Sequence, residues 1–541
     1  MRNIRSWLRE MPKNIRVWFF ILYVLISFYV FAVIYGQFAA NYELLLPLSL
    51  SIAAVIVLFI VMLLLLYGVS HVHINSKVGE ITRKKSTIVF CVCFFVTLAA
   101  LLIWFIAYAP GGFSPDSISQ YEQAITGQFN DWHPVIHTIL FFWLPLKLTG
   151  GYIGSIVLFQ ILCFSLAYAY AMLVLYKNHS PYWFIVLAML YICVSPANGN
   201  LLMFPFKDCG FSIFALLITA QLLQIYFTKG TWIKSVQNLI AFAVTLALAS
   251  LMRHNAVLFT IPAGIAALIL SLKCTKRSLI SLGVAVALVF CIKVPFYSIL
   301  NVTKPGNRQV EMLGLPMTIL CDIYVTQPEA LTPEARDFMD GLATEEEWDN
   351  YYYLGNFNSI KWASSKGPGT QVEEAGIATI LKYTAQAALN TPGSALMSVA
   401  RLTDMVWCVD TTSINWANNM VYISNNTYGI TLQGNPTLEN MLNFYSNISI
   451  HLGIKYLFWF IGIILIILLV VSVGKISQLK LRGVLLILPL LIHNFGTMLL
   501  LSGNDFRFFH LSFVIFFPLL FALLRKENPY NDNMPKEIAH N

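Results

Sequence analysis

The chain alternates long apolar runs with short polar junctions. Twelve runs are long enough to read as spans: residues 17–37, 44–70, 88–109, 152–176, 182–196, 208–228, 232–251, 255–272, 279–300, 453–474, 484–502 and 507–524. A helix needs about 20 apolar residues to cross the ~30 Å hydrocarbon core, so these runs predict transmembrane helices. A thirteenth run, Val135–Leu148, has about 14 residues, the length of a re-entrant or interfacial segment. Two hydrophilic pieces interrupt the series, Ala109–Pro134 and a stretch from Asn301 to about Gly453. The pattern predicts an all-α polytopic membrane protein with about twelve spans and a re-entrant or juxtamembrane helix in its first large external loop. A small external domain precedes the last three spans.

Five regions follow. Residues 1–87 form an N-terminal segment and a two-span hairpin, and 88–300 a transmembrane core that includes the loop 110–134. Residues 301–452 form the external domain, 453–524 a three-span bundle and 525–541 a tail. Within 301–452, apolar residues at helical spacing over Val372–Leu389 predict an amphipathic helix ended by Thr391, Pro392 and Gly393. The stretch Thr344–Asn358 is acidic and then aromatic, a solvated face beside an aromatic patch.

Composition agrees with the pattern. The chain is 58% hydrophobic and only 11% charged, against about 25% charged in soluble domains. Its mean hydropathy is +0.70. The net charge of +8 would suggest nucleic acid only if it clustered on a solvated domain. With twelve spans and a cytoplasmic N-terminus, the cytoplasmic segments hold 21 of the 34 Lys and Arg and 5 of the 26 Asp and Glu. The excess therefore reports orientation under the positive-inside rule, both termini are expected in the cytoplasm, and no nucleic-acid partner is expected. If Val135–Leu148 crossed, the clusters Lys273, Lys276, Arg277 and Lys475, Lys480, Arg482 would move outside, against the rule. Arg2, Arg5, Arg9, Lys13 and Arg16 precede the first run with no small-residue cleavage site, which reads as a retained span. Seven of the nine cysteines lie in or beside spans. Cys321 and Cys408 lie in the hydrophilic stretch and could pair in an oxidising compartment.

Polar residues at span ends are the candidate chemistry, because ionisable groups there are costly without partners or a role. Four sets share one side of the twelve-span arrangement. The first is Ser114, Pro115 and Asp116 with Gln120, running to Asp131, Trp132, His133 and His137. The second is Lys207 and Asp208; the third is Arg253, His254 and Asn255; the fourth is Asn504, Asp505 and Arg507 with His510. Taken singly, Asp116 is a first-turn dipole partner behind a Ser114 N-cap, Arg253 and Arg507 are snorkelling arginines, and His133 is a packed helix-start histidine. Four sets on one face favour a shared polar cavity. Carboxylates can take a proton from an alcohol, and guanidinium and ammonium groups hold phosphate. The mixture suits displacement at a carbon whose leaving group is a lipid phosphate. No Gly-rich phosphate loop is present.

The run Pro115-Asp116-Ser117, with Gln120, Gly127 and Asp131-Trp132-His133-Pro134, resembles the first external loop of the GT-C superfamily of membrane glycosyltransferases, within an uncharacterised bacterial branch. Lys207-Asp208, Arg253-His254-Asn255 and Asp505-Phe506-Arg507 are similar to its later polar motifs. The resemblance implies a polyprenyl-phosphate-linked sugar donor and a glycan or glycolipid acceptor of the cell wall or surface polysaccharide. It implies Asp116 as the base of an inverting transfer, with Lys207, Asp208, Arg253, His254, Asn255, His133, Asp505 and Arg507 binding substrate. Many superfamily members carry paired acids in this loop, whereas Ser117 follows Asp116 here. A divalent metal therefore stays open but unsupported, and the sequence establishes no cofactor.

Other classes remain open at this stage. A flippase or transporter for a lipid-linked substrate would line its path with the same cations, and would show inverted repeats or broken spans; no repeat is visible. An O-antigen-ligase-like or polymerase-like transferase would place His and Arg in the large external loop, yet residues 301–450 contain no His. For an in-membrane acyltransferase His493 is the one candidate.

Overall fold

A computed structural model describes residues 2–42, 48–75, 80–304, 306, 308–409, 420–451, 453–500, 502–503 and 505–526. Helices dominate, and among these residues β-structure is limited to isolated bridges. Seven helices are long and apolar enough to cross a membrane: Lys13–Tyr35, Leu50–His71, Arg83–Tyr108, Ser155–Lys177, Lys207–Phe227, Thr275–Ile299 and Phe506–Leu524. The chain is thus a helical membrane protein.

An eighth element is Tyr182–Val194 followed by Pro196–Leu202, bent by 58°. The bend falls where Ser195 adopts extended backbone, caps the second helix through Asn198 N, and precedes Pro196; Pro cannot continue the first helix. The other four runs fold as shorter helices, Val236–Met252, Val257–Leu270, Ile461–Gly474 and Arg482–Met498. Their shortening has local causes. Arg253 takes extended backbone (φ −143°, ψ 147°) and parts the first two. Phe460 is likewise extended ahead of Ile461, which separates the short helix Lys455–Phe458 from the run that follows. The short run Val135–Leu148 is helical throughout, with a π-turn over Thr138–Trp143.

Burial sorts the helices. Lys207–Phe227 and Phe506–Leu524 are 83% and 78% buried inside the molecule, whereas Leu50–His71 and Thr275–Ile299 are 11% buried and face outward. The first pair is the packed centre, and the second is left for lipid. The N-terminal hairpin attaches by its own cluster, with Met11, Ile15, Phe19, Met62 and Leu66 against Val470, Val473 and Ile476.

Residues 308–399 form a separate hydrophobic cluster around Met317, Leu320, Trp348, Phe357 and Ile380. At its centre the buried Asp322 accepts from Tyr352 Oη (2.5 Å) and Gly355 N (2.8 Å). The expected helix Val372–Leu389 is instead two, Pro368–Ala375 and Ile377–Asn390, because Gly376 lies between them at φ +77°. Thr391 ends the second as expected, and Pro392 opens the helix Pro392–Trp407. Thr344 and Glu347 form a reciprocal capping box for Glu345–Tyr351, and behind this acidic face Trp348 is buried while Tyr351 and Tyr353 stay exposed. Cys321 and Cys408 are not joined by a disulfide, the first lying inside this cluster and the second at the end of Pro392–Trp407.

One connection ties this region to the junction before Phe506–Leu524, and a second ties the chain that follows it to the end of Arg83–Tyr108 and the loop 110–134. Ser502 binds Asn358 by its backbone carbonyl (2.8 Å) and its hydroxyl (2.7 Å). An extended strap, residues 420–435, bonds Phe113 N to Tyr422 O (3.0 Å), Gln433 N to Ala109 O (2.7 Å) and Asn435 N to Ile106 O (2.8 Å).

Candidate functional site

The loop 110–134 sets the site's floor. Gly112 N bonds Met203 O (2.9 Å), which brings the loop against the start of Lys207–Phe227. Ser114 then caps the helix Pro115–Thr126, accepting from Ser117 N at 3.3 Å with Pro115 in the first turn, and Gly127 closes it in the left-handed region at φ +72°. This puts Asp116 in the first turn, where the helix dipole favours a carboxylate. One turn on, buried Gln120 donates from Nε2 to Thr138 Oγ1 (2.9 Å) and lies 2.9 Å from His137 Nδ1, pinning the helix to the run after Pro134.

His133 is 2% exposed. Lys207 Nζ donates to its Nδ1 at 3.3 Å, leaving Nε2 to face Asp116 Oδ1 at 4.0 Å. Burial and the Lys207 charge lower the His133 pKa to about 3, against the pull of Asp116. The ring is therefore neutral at physiological pH, and the bond from Lys207 fixes its tautomer.

The cations are layered. Deepest is Arg253, whose Nη1 meets Asp208 Oδ1 at 3.0 Å and Phe508 O at 3.1 Å, with its guanidinium over Phe211 (5.9 Å) and Phe508 (5.2 Å). Above it Arg507 reaches three carboxylates: Asp505 Oδ2 at 2.8 Å, Asp116 Oδ2 at 3.3 Å and Asp208 Oδ2 at 3.9 Å. Its guanidinium lies over Phe206 (4.6 Å) and Phe508 (5.2 Å). Asp505 also caps the turn that carries Arg507, accepting from Arg507 N at 3.0 Å.

Two carboxylates on one arginine are pushed apart. Burial opposes ionisation of Asp116, but Arg507, Lys207 and His133 outweigh it and hold its carboxyl well below the usual range. At Asp505 burial wins, and its pKa rises despite Arg507. Asp208 is 1% exposed and Asp116 about one third exposed. Asp505 is nearly as open, at 30%, so of the two reachable carboxylates Asp116 is the one whose ionised form the surrounding charges favour.

Of the residues singled out in the sequence, Asp116, His133, Lys207, Asp208, Arg253, Asp505 and Arg507 converge here. His254 stands beside them, exposed, with Nε2 3.3 Å from Trp132 O. Asn255 turns away to Thr497 Oγ1 (3.2 Å). His510 is buried behind the cluster, its Nε2 2.9 Å from Asn198 Oδ1, and His493 Nε2 lies 3.4 Å from Phe508 O. Asn504 lies outside the described residues. Among the described residues no three His, Cys, Asp or Glu side chains form a metal-binding set.

Sequence reasoning missed the aromatic bed of Phe206, Phe211 and Phe508, and Tyr422 of the strap, whose ring packs on Phe204 at 5.2 Å. It also missed Lys293, whose Nζ lies 3.2 Å from Asp131 Oδ2. A lone charge within the apolar run 279–300 was the available signal. No protein-family model, no curated protein and no solved structure matches the chain.

Proposed function

We propose that the protein is a membrane glycosyltransferase of GT-C type. It transfers a sugar from a polyprenyl-phosphate donor to an extracytoplasmic glycan or glycolipid acceptor, with inversion. In this reading twelve helices span the cell membrane, both termini are cytoplasmic, and the cluster around Asp116 faces outward. The observation that carries the reading is Asp116, an ionised and reachable carboxylate beside Lys207 and Arg507, at the end of the helices where a lipid headgroup would lie.

The acceptor hydroxyl attacks the anomeric carbon from the face opposite the phosphate. A new C–O bond forms, the sugar–phosphate C–O bond breaks with its electron pair going to phosphate oxygen, and Asp116 takes the hydroxyl proton. Lys207 and Arg507 receive the charge that develops on the phosphate. Arg253, committed to Asp208 and the Phe508 carbonyl, acts as a positioning residue. A phosphate that draws Arg507 toward itself also takes a partner from Asp116, which raises that carboxylate's proton affinity when the proton must move.

The test is Asp116→Asn with purified lipid-linked sugar and acceptor. Transfer should fall by about 10²- to 10⁴-fold; undiminished transfer would sink the proposed base. A second reading, translocation of a lipid-linked substrate, draws on the 58° break at Ser195 and Pro196, since broken spans serve transporters. Movement of the substrate across sealed vesicles without a new glycosidic bond would favour it.

A further inference from the structure

Lys293 is a charged residue inside a helix otherwise given to lipid. It lies about 9 Å along the axis from the end of Thr275–Ile299 at 1.5 Å per residue. Its neighbours Phe290 and Val294 are exposed, as is most of this helix. An ionisable group at such a place is costly and marks a substrate path or a partner. A partner is present: both Asp131 oxygens lie within reach of Nζ, at 3.2 and 3.4 Å, and the Tyr297 ring one turn on lies 5.0 Å from it.

Asp131 belongs to the catalytic loop. Its N–H bonds Thr303 O (3.0 Å), just past the end of the same helix. The next residue, Trp132, offers its carbonyl to His254, and the one after is His133, bound to Lys207. From the bare helix inward the groups run Lys293, Asp131, His254, His133, Lys207 and then Asp116 with Arg507. Lys293 is still 32% exposed, and an ion pair at such exposure contributes little to stability. A latch alone is a weak reason for a lysine here.

We infer that Lys293 is the entry cation for a phosphate headgroup arriving from the bilayer, which displaces Asp131 from Lys293 before passing to Lys207 and Arg507. This rests on the proposed function insofar as the cargo is a lipid phosphate, and it adds the side from which that lipid comes: between helix Thr275–Ile299 and residues 129–134. Asp131, once released, is positioned to face His254.

The experiment uses the full chain in nanodiscs with a photoreactive polyprenyl monophosphate, and reads the rate of labelling at early times and sub-saturating probe. Lys293→Met should slow this capture by about tenfold, the scale of one charge-assisted hydrogen bond made at entry. Lys293→Arg should capture the probe nearly as fast as the unmodified protein does. The charge-swapped variant, Lys293→Asp with Asp131→Lys, keeps the ion pair and should stay slow. Recovery in the swap would reduce the pair to a latch and overturn the inference, as would unchanged capture in Lys293→Met. Displacement of the probe by millimolar inorganic phosphate would point to a soluble anion and overturn the bilayer route. Transfer assayed in parallel separates the two readings: lost dependence on Lys293 with Asp116-dependent transfer leaves the transferase standing, and Lys293-dependent labelling without Asp116-dependent transfer leaves the entry site standing.

Discussion

Arg507 bridges Asp116 at 3.3 Å and Asp505 at 2.8 Å, so one guanidinium sets the charge of both carboxylates. Removing it acts first on Asp116, whose largest favourable influence it is. In Arg507→Gln the Asp116 pKa should rise, and the acidic limb of the kcat/KM profile should move to higher pH. A limb that stays where it was would show that Asp116 does not control it. Under the proposed transfer the maximal rate should fall as well, because Arg507 would also receive the phosphate.

How much of this was legible depends on what each residue contrasts with. Asp116, Lys207 and Arg507 stand out because they are charged at the ends of apolar runs. Their convergence follows from the shared sidedness of those ends. The division of labour between Arg253 and Arg507 was not legible, since both look like arginines at span junctions. It comes from depth: Arg253 meets the 1%-exposed Asp208, whereas Arg507 reaches Asp116. Phe206 and Phe508 could not be told from core aromatics, and Lys293 could not be matched to Asp131 across such a sequence separation. Gly376 was read through as helix because the apolar spacing continues across it.

Arg253→Met should be strongly destabilising. It leaves Asp208 buried with its 3.0 Å partner gone, and breaking a buried pair from one side costs about 3–5 kcal/mol. Arg253→Met with Asp208→Leu removes both charges and should recover much of the loss. Thermal unfolding in detergent compares the two. Equal midpoints for the single and double variants would deny that an orphaned charge is the cause. Activity should not return in the double variant, since Asp208 also helps hold Arg507.

His133 makes stability depend on pH. Its folded pKa, lowered to about 3, lies below the unfolded value of about 6.5. Between these values the unfolded chain binds a proton that the folded one does not, so stability falls as pH drops below about 6.5. The slope is about 1.4 kcal/mol per pH unit for one such group. Above pH 6.5 the group contributes no slope. His133→Gln keeps an acceptor for Lys207 but cannot titrate. The gap between its unfolding midpoints at pH 7 and pH 5 should be smaller than in the unmodified protein; an equal gap would place the pH dependence elsewhere.

The strap 420–435 crosses the loop that carries Asp116, and its fit depends on Gly434. A side-chain carbon there would overlap the Ala107 carbonyl, and backbone cannot move aside as a flexible side chain would. Gly434→Ala should therefore lift the strap's end and weaken the bonds from Gln433 N to Ala109 O and from Asn435 N to Ile106 O. Overpacking of this kind costs about 1–3 kcal/mol. Phe113 N would keep Tyr422 O only if the middle of the strap stayed in place, so hydrogen exchange separates two cases. Faster exchange at Gln433 and Asn435 alone means a local fault. Faster exchange that extends to Phe113 means the strap moves as one piece, and Tyr422 is then displaced from Phe204 above the Arg507 side of the site. In that second case the acceptor KM should rise more than kcat falls, because Asp116 keeps its cap at Ser114 while the wall beside it shifts.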